Sequence, residues 1–114
     1  MHEMSLTQSI LAIIEEHAKQ HGFSKVNSIR LSFGRLSSIE PETLNFAFEV
    51  LSEGTRAHGA RLLFDILPVS IYCMHCERKS ELSTYAAHCP LCGSAEVMLQ
   101  SGTEELKLIE MDVD

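Results

Sequence analysis

The chain has 114 residues, with 16 acidic side chains against 9 basic ones and a net charge of −7. That length holds one domain, or one small domain plus a metal-held module. The acidic balance offers little to a phosphate backbone, which argues against nucleic-acid binding. No run of about 18 apolar residues is present to span a membrane. No stretch reads as a signal peptide either, so the expected compartment is cytoplasmic.

In chain order, the first predicted element is an amphipathic helix. Ser5 stands where it could cap the helix, with Gln8 three residues on as in a capping box. Leu6, Ile10, Ile13, Ile14 and His17 then recur at helical spacing. The helix is expected to end near His21-Gly22, where glycine suits the left-handed terminal position. Ser28 to Phe33 alternates polar and apolar residues, so it reads as a half-buried strand with Ile29, Leu31 and Phe33 inward. Gly34 ends that strand. Glu40-Pro41-Glu42 announces a second helix, because proline suits the first helical position and acidic residues favour the first turn. Leu44, Ala47, Phe48 and Leu51 form its apolar stripe and Gly54 stops it. A strand follows from Arg61 and is interrupted at Pro68.

All four cysteines come next, as Cys73-Met74-His75-Cys76 and Cys89-Pro90-Leu91-Cys92-Gly93. Two Cys-x-x-Cys hooks across a short polar loop can wrap four thiolates around one Zn²⁺. Pro90 and Gly93 suit the tight turn such a hook needs. Iron at the same four sulfurs is an alternative, and two disulfides would require a secreted protein. Glu81 to Thr84 and Glu96 to Leu99 are the expected short strands of this module. Glu105 to Val113 alternates as a last strand, too apolar to stand alone, and is expected to return to the earlier sheet.

The expected fold is therefore α+β. Two helices lie on one face of a small, about three-stranded sheet, with an inserted four-cysteine zinc-ribbon module. Residues 1–70 with 103–114 would form the α+β domain and residues 71–102 the zinc-ribbon domain.

The amino terminus, Met1-His2-Glu3, is chemically unusual. Histidine at position 2 puts the α-amine, the backbone amide of residue 2 and an imidazole in one arc. Square-planar Ni²⁺ or Cu²⁺ favours such a nitrogen-rich set, whereas Zn²⁺ prefers a tetrahedron. The bland alternative is a chance histidine at a chain terminus. The imidazole must be neutral to ligate, so binding weakens as pH falls through the histidine range. Among other candidates, His75 lies within the first hook and His88 directly precedes Cys89, and either could supply a further ligand; His17 reads as a boundary residue of the first helix, and His21 and His58 fall in expected loops. Glu15 and Glu16 read as a solvated face.

Taken together, Met1-His2-Glu3, the helix from Leu6 to His17, Gly34, Glu40, Phe46-x-Phe48, Gly54 and the double hook ending Cys89-Pro90-Leu91-Cys92 resemble the HypA/HybF family of nickel metallochaperones. The resemblance covers essentially the whole chain. It implies a non-enzymatic carrier that delivers Ni²⁺ to the maturing large subunit of NiFe hydrogenase, and in some organisms to urease. It implies partnership with the GTPase of the same maturation pathway and, for urease, with its maturation proteins. A homodimer is compatible with it. It makes His2 the side-chain nickel ligand, supported by the Met1 amine and the backbone nitrogens of His2 and Glu3. Cys73, Cys76, Cys89 and Cys92 match the zinc ligands, and Glu40 stands where an acidic residue would lie near the nickel. The competing reading is a zinc-ribbon module that binds protein or nucleic acid without nickel. It calls for a basic or aromatic strip on the ribbon, where only Arg78, Lys79 and Tyr85 stand between the hooks. A thiol oxidoreductase is disfavoured, because neither cysteine pair sits in a strand-to-helix context.

Overall fold

The computed structural model describes residues 3–114. The first helix, α1, spans Glu3–His21 and buries Thr7, Ile10, Ile14 and Ala18. It starts upstream of the expected cap. Ser5 lies inside the helix, and its carbonyl accepts a bond from the Ser9 hydroxyl at 3.1 Å. Thr7 is polar yet fully buried, because its hydroxyl donates to the Glu3 carbonyl at 2.7 Å and leaves nothing unsatisfied. Gly22 has φ +73° and its amide closes the helix on the Ala18 carbonyl at 2.8 Å, the left-handed ending anticipated for it.

Strand β1 runs Val26–Gly34, a 3-10 turn follows at Arg35–Ser37, and α2 spans Pro41–Leu51 with Pro41 in its first turn. Helix α2 buries Leu44, Ala47 and Phe48 and ends before Gly54. Strands β2 (Arg61–Leu67) and β3 (Val69–Cys73) are separated by Pro68, as its missing amide requires. Short strands β4 (Lys79–Leu82) and β5 (Val97–Ser101) follow, then β6 (Lys107–Val113).

The strands form two three-stranded sheets, in the orders β2-β1-β6 and β4-β3-β5. The last strand does return to the first: β6 pairs antiparallel with β1, placing Ile29 opposite Met111 and Leu31 opposite Leu108. Arg30 ties this sheet together from its central strand, with Nη1 on Asp65 at 2.8 Å and Nε on Glu110 at 3.1 Å.

The chain divides into two compact units. One comprises the chain up to Ser32, Ile39–Asp65 and Leu106–Asp114; the other comprises Phe33–Ser38 and Ile66–Glu105. In the first unit α1, α2 and the β2-β1-β6 sheet share one apolar core of Ile10, Ile14, Ala18, Phe23, Val26, Ile29, Leu31, Leu44, Phe48, Ala57 and Leu62. This is the α+β architecture, with two helices on a three-stranded sheet. The second unit holds the β4-β3-β5 sheet, in which β3 pairs antiparallel with both neighbours. Among the described residues no helix is long and apolar enough to cross a membrane.

Candidate metal centre

The two cysteine hooks are built alike. In the first, the Glu77 amide donates to the Cys73 carbonyl and the Cys73 amide to the Arg78 carbonyl. In the second, the Gly93 amide donates to the Cys89 carbonyl and the Cys89 amide to the Ser94 carbonyl. The offsets are identical, so both chains turn the same way. Each turn needs a left-handed residue four places after its first cysteine, and Glu77 (φ 58°) and Gly93 (φ +79°) supply it. Glycine marks the second of these positions in the sequence. In the first, a glutamate adopts the same conformation.

These turns bring all four Sγ atoms within 4.8 Å of one another. Cys73 and Cys92 sulfurs lie 3.6 Å apart, and Cys76 and Cys89 sulfurs 3.8 Å apart. A disulfide requires about 2.05 Å, so the cysteines are not paired as disulfides. Sulfurs at about 2.3 Å from a central ion, in a tetrahedron, stand about 3.8 Å from each other. The observed separations are therefore those of a four-thiolate metal shell, and the donor set suits zinc or iron. The four cysteines are the one group of three or more potential metal ligands among the described residues; His75 and His88 are not members of it.

Backbone amides favour the thiolate form. The Cys76 amide points to Cys73 Sγ and the Leu91 amide to Cys89 Sγ, each at 3.4 Å. The Cys76 amide is the main reason the Cys73 thiol sits below its usual range, against the opposing effect of burial. Burial pushes Cys89 up, but amides from Cys92 and Leu91 and the adjacent thiols outweigh it and bring Cys89 down to about 6. At Cys92 the Ser94 amide favours the thiolate, yet burial and the neighbouring Cys73, Cys89 and Cys76 push the thiol up to about 11. Four thiolates this close repel, and a bound cation removes that conflict.

Met1 and His2, expected to form a second metal site, lie outside the described residues. Glu3 opens α1 and is half-buried. The first amides of a helix have no acceptor within it, so the Glu3 nitrogen is not spent on the helical ladder. Glu40 is the exposed N-cap residue of α2, and its carboxylate makes no capping bond. The amide-to-sulfur bonds were not among the sequence expectations, although the Cys-x-x-Cys spacing itself is their signal.

The comparisons with known proteins are consistent along the chain. A family model described as "HypA: Hydrogenase/urease nickel incorporation, metallochaperone, hypA" matches residues 1–113. A hydrogenase maturation factor HypA of Syntrophus aciditrophicus is 54% identical over 114 residues, covering 100% of both chains. Its counterpart from Methylocella silvestris is 42% identical over the same length, again covering 100% of both. The solution structure of the Ni metallochaperone HypA from Helicobacter pylori superposes with a TM-score of 0.65 at 26% identity, covering 99% of this chain and 97% of that one. A second solution structure, of a HypA protein, gives a TM-score of 0.69 at 26% identity, covering 99% of this chain and 96% of that one.

Proposed function

Because this chain belongs to the HypA family of hydrogenase/urease nickel-incorporation metallochaperones, carriers rather than enzymes, we propose that it binds Ni²⁺ at its amino terminus and delivers it to NiFe hydrogenase during maturation, with urease as a second client. The observation that carries this reading is the family match from residue 1 to residue 113, which takes in both Met1-His2-Glu3 and the four-cysteine cluster. The His2 imidazole is the side-chain ligand. The Met1 amine and the backbone nitrogens of His2 and Glu3 complete a nitrogen-rich set that suits square-planar nickel. A carrier must release its cargo, and a few-ligand site at a chain terminus exchanges more readily than a buried cage.

Zinc occupies the Cys73, Cys76, Cys89 and Cys92 site and cross-links the two hooks. Its role is structural, because four thiolates close its shell and leave no position for substrate. On this reading the nickel-binding domain, expected at residues 1–70 with 103–114, is centred on the first compact unit, and the zinc-ribbon domain, expected at residues 71–102, on the second. The partners are the GTPase of the same maturation pathway and the hydrogenase large-subunit precursor, in the cytoplasm, with urease maturation proteins where urease is the client. Nucleic acid is not a partner of so acidic a chain.

The test is a nickel titration of untagged, zinc-loaded protein read by absorption spectroscopy. The native chain should take up about one equivalent in a planar, nitrogen-rich site. His2→Ala should lose that planar signature while keeping its zinc content and far-ultraviolet circular dichroism. A planar nickel site that survives His2→Ala overturns the assignment.

A further inference from the structure

The last turns of α1 hold a pair of histidines that neither the cysteine cluster nor the amino terminus uses. His17 and His21 are four residues apart, so they share one face of the helix. Their ring centroids lie 6.0 Å apart, with the planes tilted by 57°. His17 is half-buried and His21 exposed, and among the described residues neither ring makes a hydrogen bond. Both line one cavity of about 310 Å³, along with Phe23, Glu110 and Met111. The sequence places His21 in an expected loop, whereas the helix includes it and so brings the two rings to one face.

We propose that His17 and His21 form a two-imidazole binding site for a divalent transition-metal ion of the nickel, copper and zinc class. Histidines at i and i+4 on a helix are the spacing by which a helix grips such an ion with two ring nitrogens. At metal–nitrogen bonds of about 2.0–2.1 Å, two imidazoles on one ion hold their centroids about 5 Å apart. The rings close from 6.0 Å to that distance by small side-chain rotations. The position at the carboxyl end of α1 adds the negative end of the helix dipole. Glu110 adds a carboxylate to the cavity wall, and only its Oε1 is engaged by Arg30. Met111 adds a polarisable thioether to the same wall. Water fills the remaining coordination positions, so the ion exchanges freely. The other apolar surface of note, around Phe46 and Val50 of α2, has nothing in the structure to say what covers it.

The probe is Ni²⁺ alone, added to untagged, zinc-loaded His2→Ala protein and followed by calorimetry and proton NMR. An ion held by two imidazoles and water is six-coordinate and paramagnetic, unlike a planar nickel. The His2→Ala chain should bind about one equivalent and show strongly shifted imidazole resonances. Adding His17→Gln or His21→Gln should weaken binding at least about tenfold, the loss that follows even from disturbing a ligand's outer support, and should remove the shifted resonances. His21 is exposed, so His21→Gln leaves the fold intact and keeps the test decisive if His17→Gln does not. No nickel uptake by His2→Ala, or uptake and shifted resonances unchanged by both glutamine variants, overturns the proposal. Neither result depends on whether the amino terminus binds nickel, because His2 is absent from every protein tested.

Discussion

At Gly34 the backbone of β1 meets the segment that leads into β6. The Gly34 amide donates to the Glu104 carbonyl at 2.9 Å, and the Leu36 amide donates to the Gly102 carbonyl at 2.7 Å. A methyl group on Gly34 would overlap the Gly102 carbonyl and stand 2.6 Å from the Glu104 nitrogen. Every one of those neighbours is backbone, so nothing flexible can give way. Gly34→Ala should therefore destabilise the zinc-loaded protein by about 1–3 kcal/mol, the usual penalty of overpacking. Urea unfolding checks this, and an unchanged midpoint would mean that the two segments separate easily. In the sequence this glycine reads only as a strand end, because its partner is supplied from far along the chain. Gly22 was legible for the opposite reason: its role is local, set by the helix it terminates. Glu77 shows the same limit, since nothing in its residue type announces the left-handed turn it makes.

Helix α1 was legible as an element, but its buried face was only half read. Hydrophobicity selects Leu6, Ile10, Ile13, Ile14 and His17. The core instead takes Thr7, Ile10, Ile14 and Ala18, while Ile13 is 42% exposed. The stripe is rotated because a threonine that bonds its own helix can be buried, and a small alanine suits close packing; neither scores as core by hydrophobicity. Two adjacent isoleucines therefore make a clean comparison. Ile14→Ala should cost about 2–5 kcal/mol, the range for a large side chain removed from a sealed core. Ile13→Ala should stay within about 0.5 kcal/mol, as for an ordinary surface change. Denaturant unfolding of the two zinc-loaded variants checks the pair. Equal losses would show that the α1 stripe faces as the sequence pattern alone suggests. The strands of the first sheet are more legible, since strict alternation at Ile29, Leu31 and Phe33 and the break at Pro68 leave little freedom. By contrast, β4 spans Lys79–Leu82, two residues upstream of the expected Glu81 to Thr84, because so short a strand has no alternation to fix its ends.

At the scale of the whole molecule, the two units differ in what holds them. The first buries a continuous set of aliphatic and aromatic side chains from both helices and a sheet. The buried apolar residues belonging to the second are Phe33, Val69 and Ile71, with the cysteines Cys73 and Cys89. Burying a large apolar side chain is worth about 1.5–3 kcal/mol, whereas a structural zinc contributes about 10–16 kcal/mol of apparent binding free energy. With zinc at the four cysteines, as proposed, the second unit would depend on its metal in a way the first does not. Chelating the zinc should abolish amide-exchange protection in β3, β4 and β5 while leaving α1, α2 and β6 protected. Acidity should assist the chelator, and the sign follows from the thiols. Cys92, pushed up to about 11, keeps its proton at neutral pH without metal and must lose it to bind one. Cys89, brought down to about 6, adds a further proton to displace once the pH falls below that value. Binding releases protons, so affinity falls as pH falls, and more steeply below about 6. Hydrogen exchange at fixed chelator, on either side of that pH, reads the result directly. Loss of protection throughout both units at once would show that the helical core also needs the zinc. Unchanged protection in β3 after complete zinc removal would show that the ribbon folds without it.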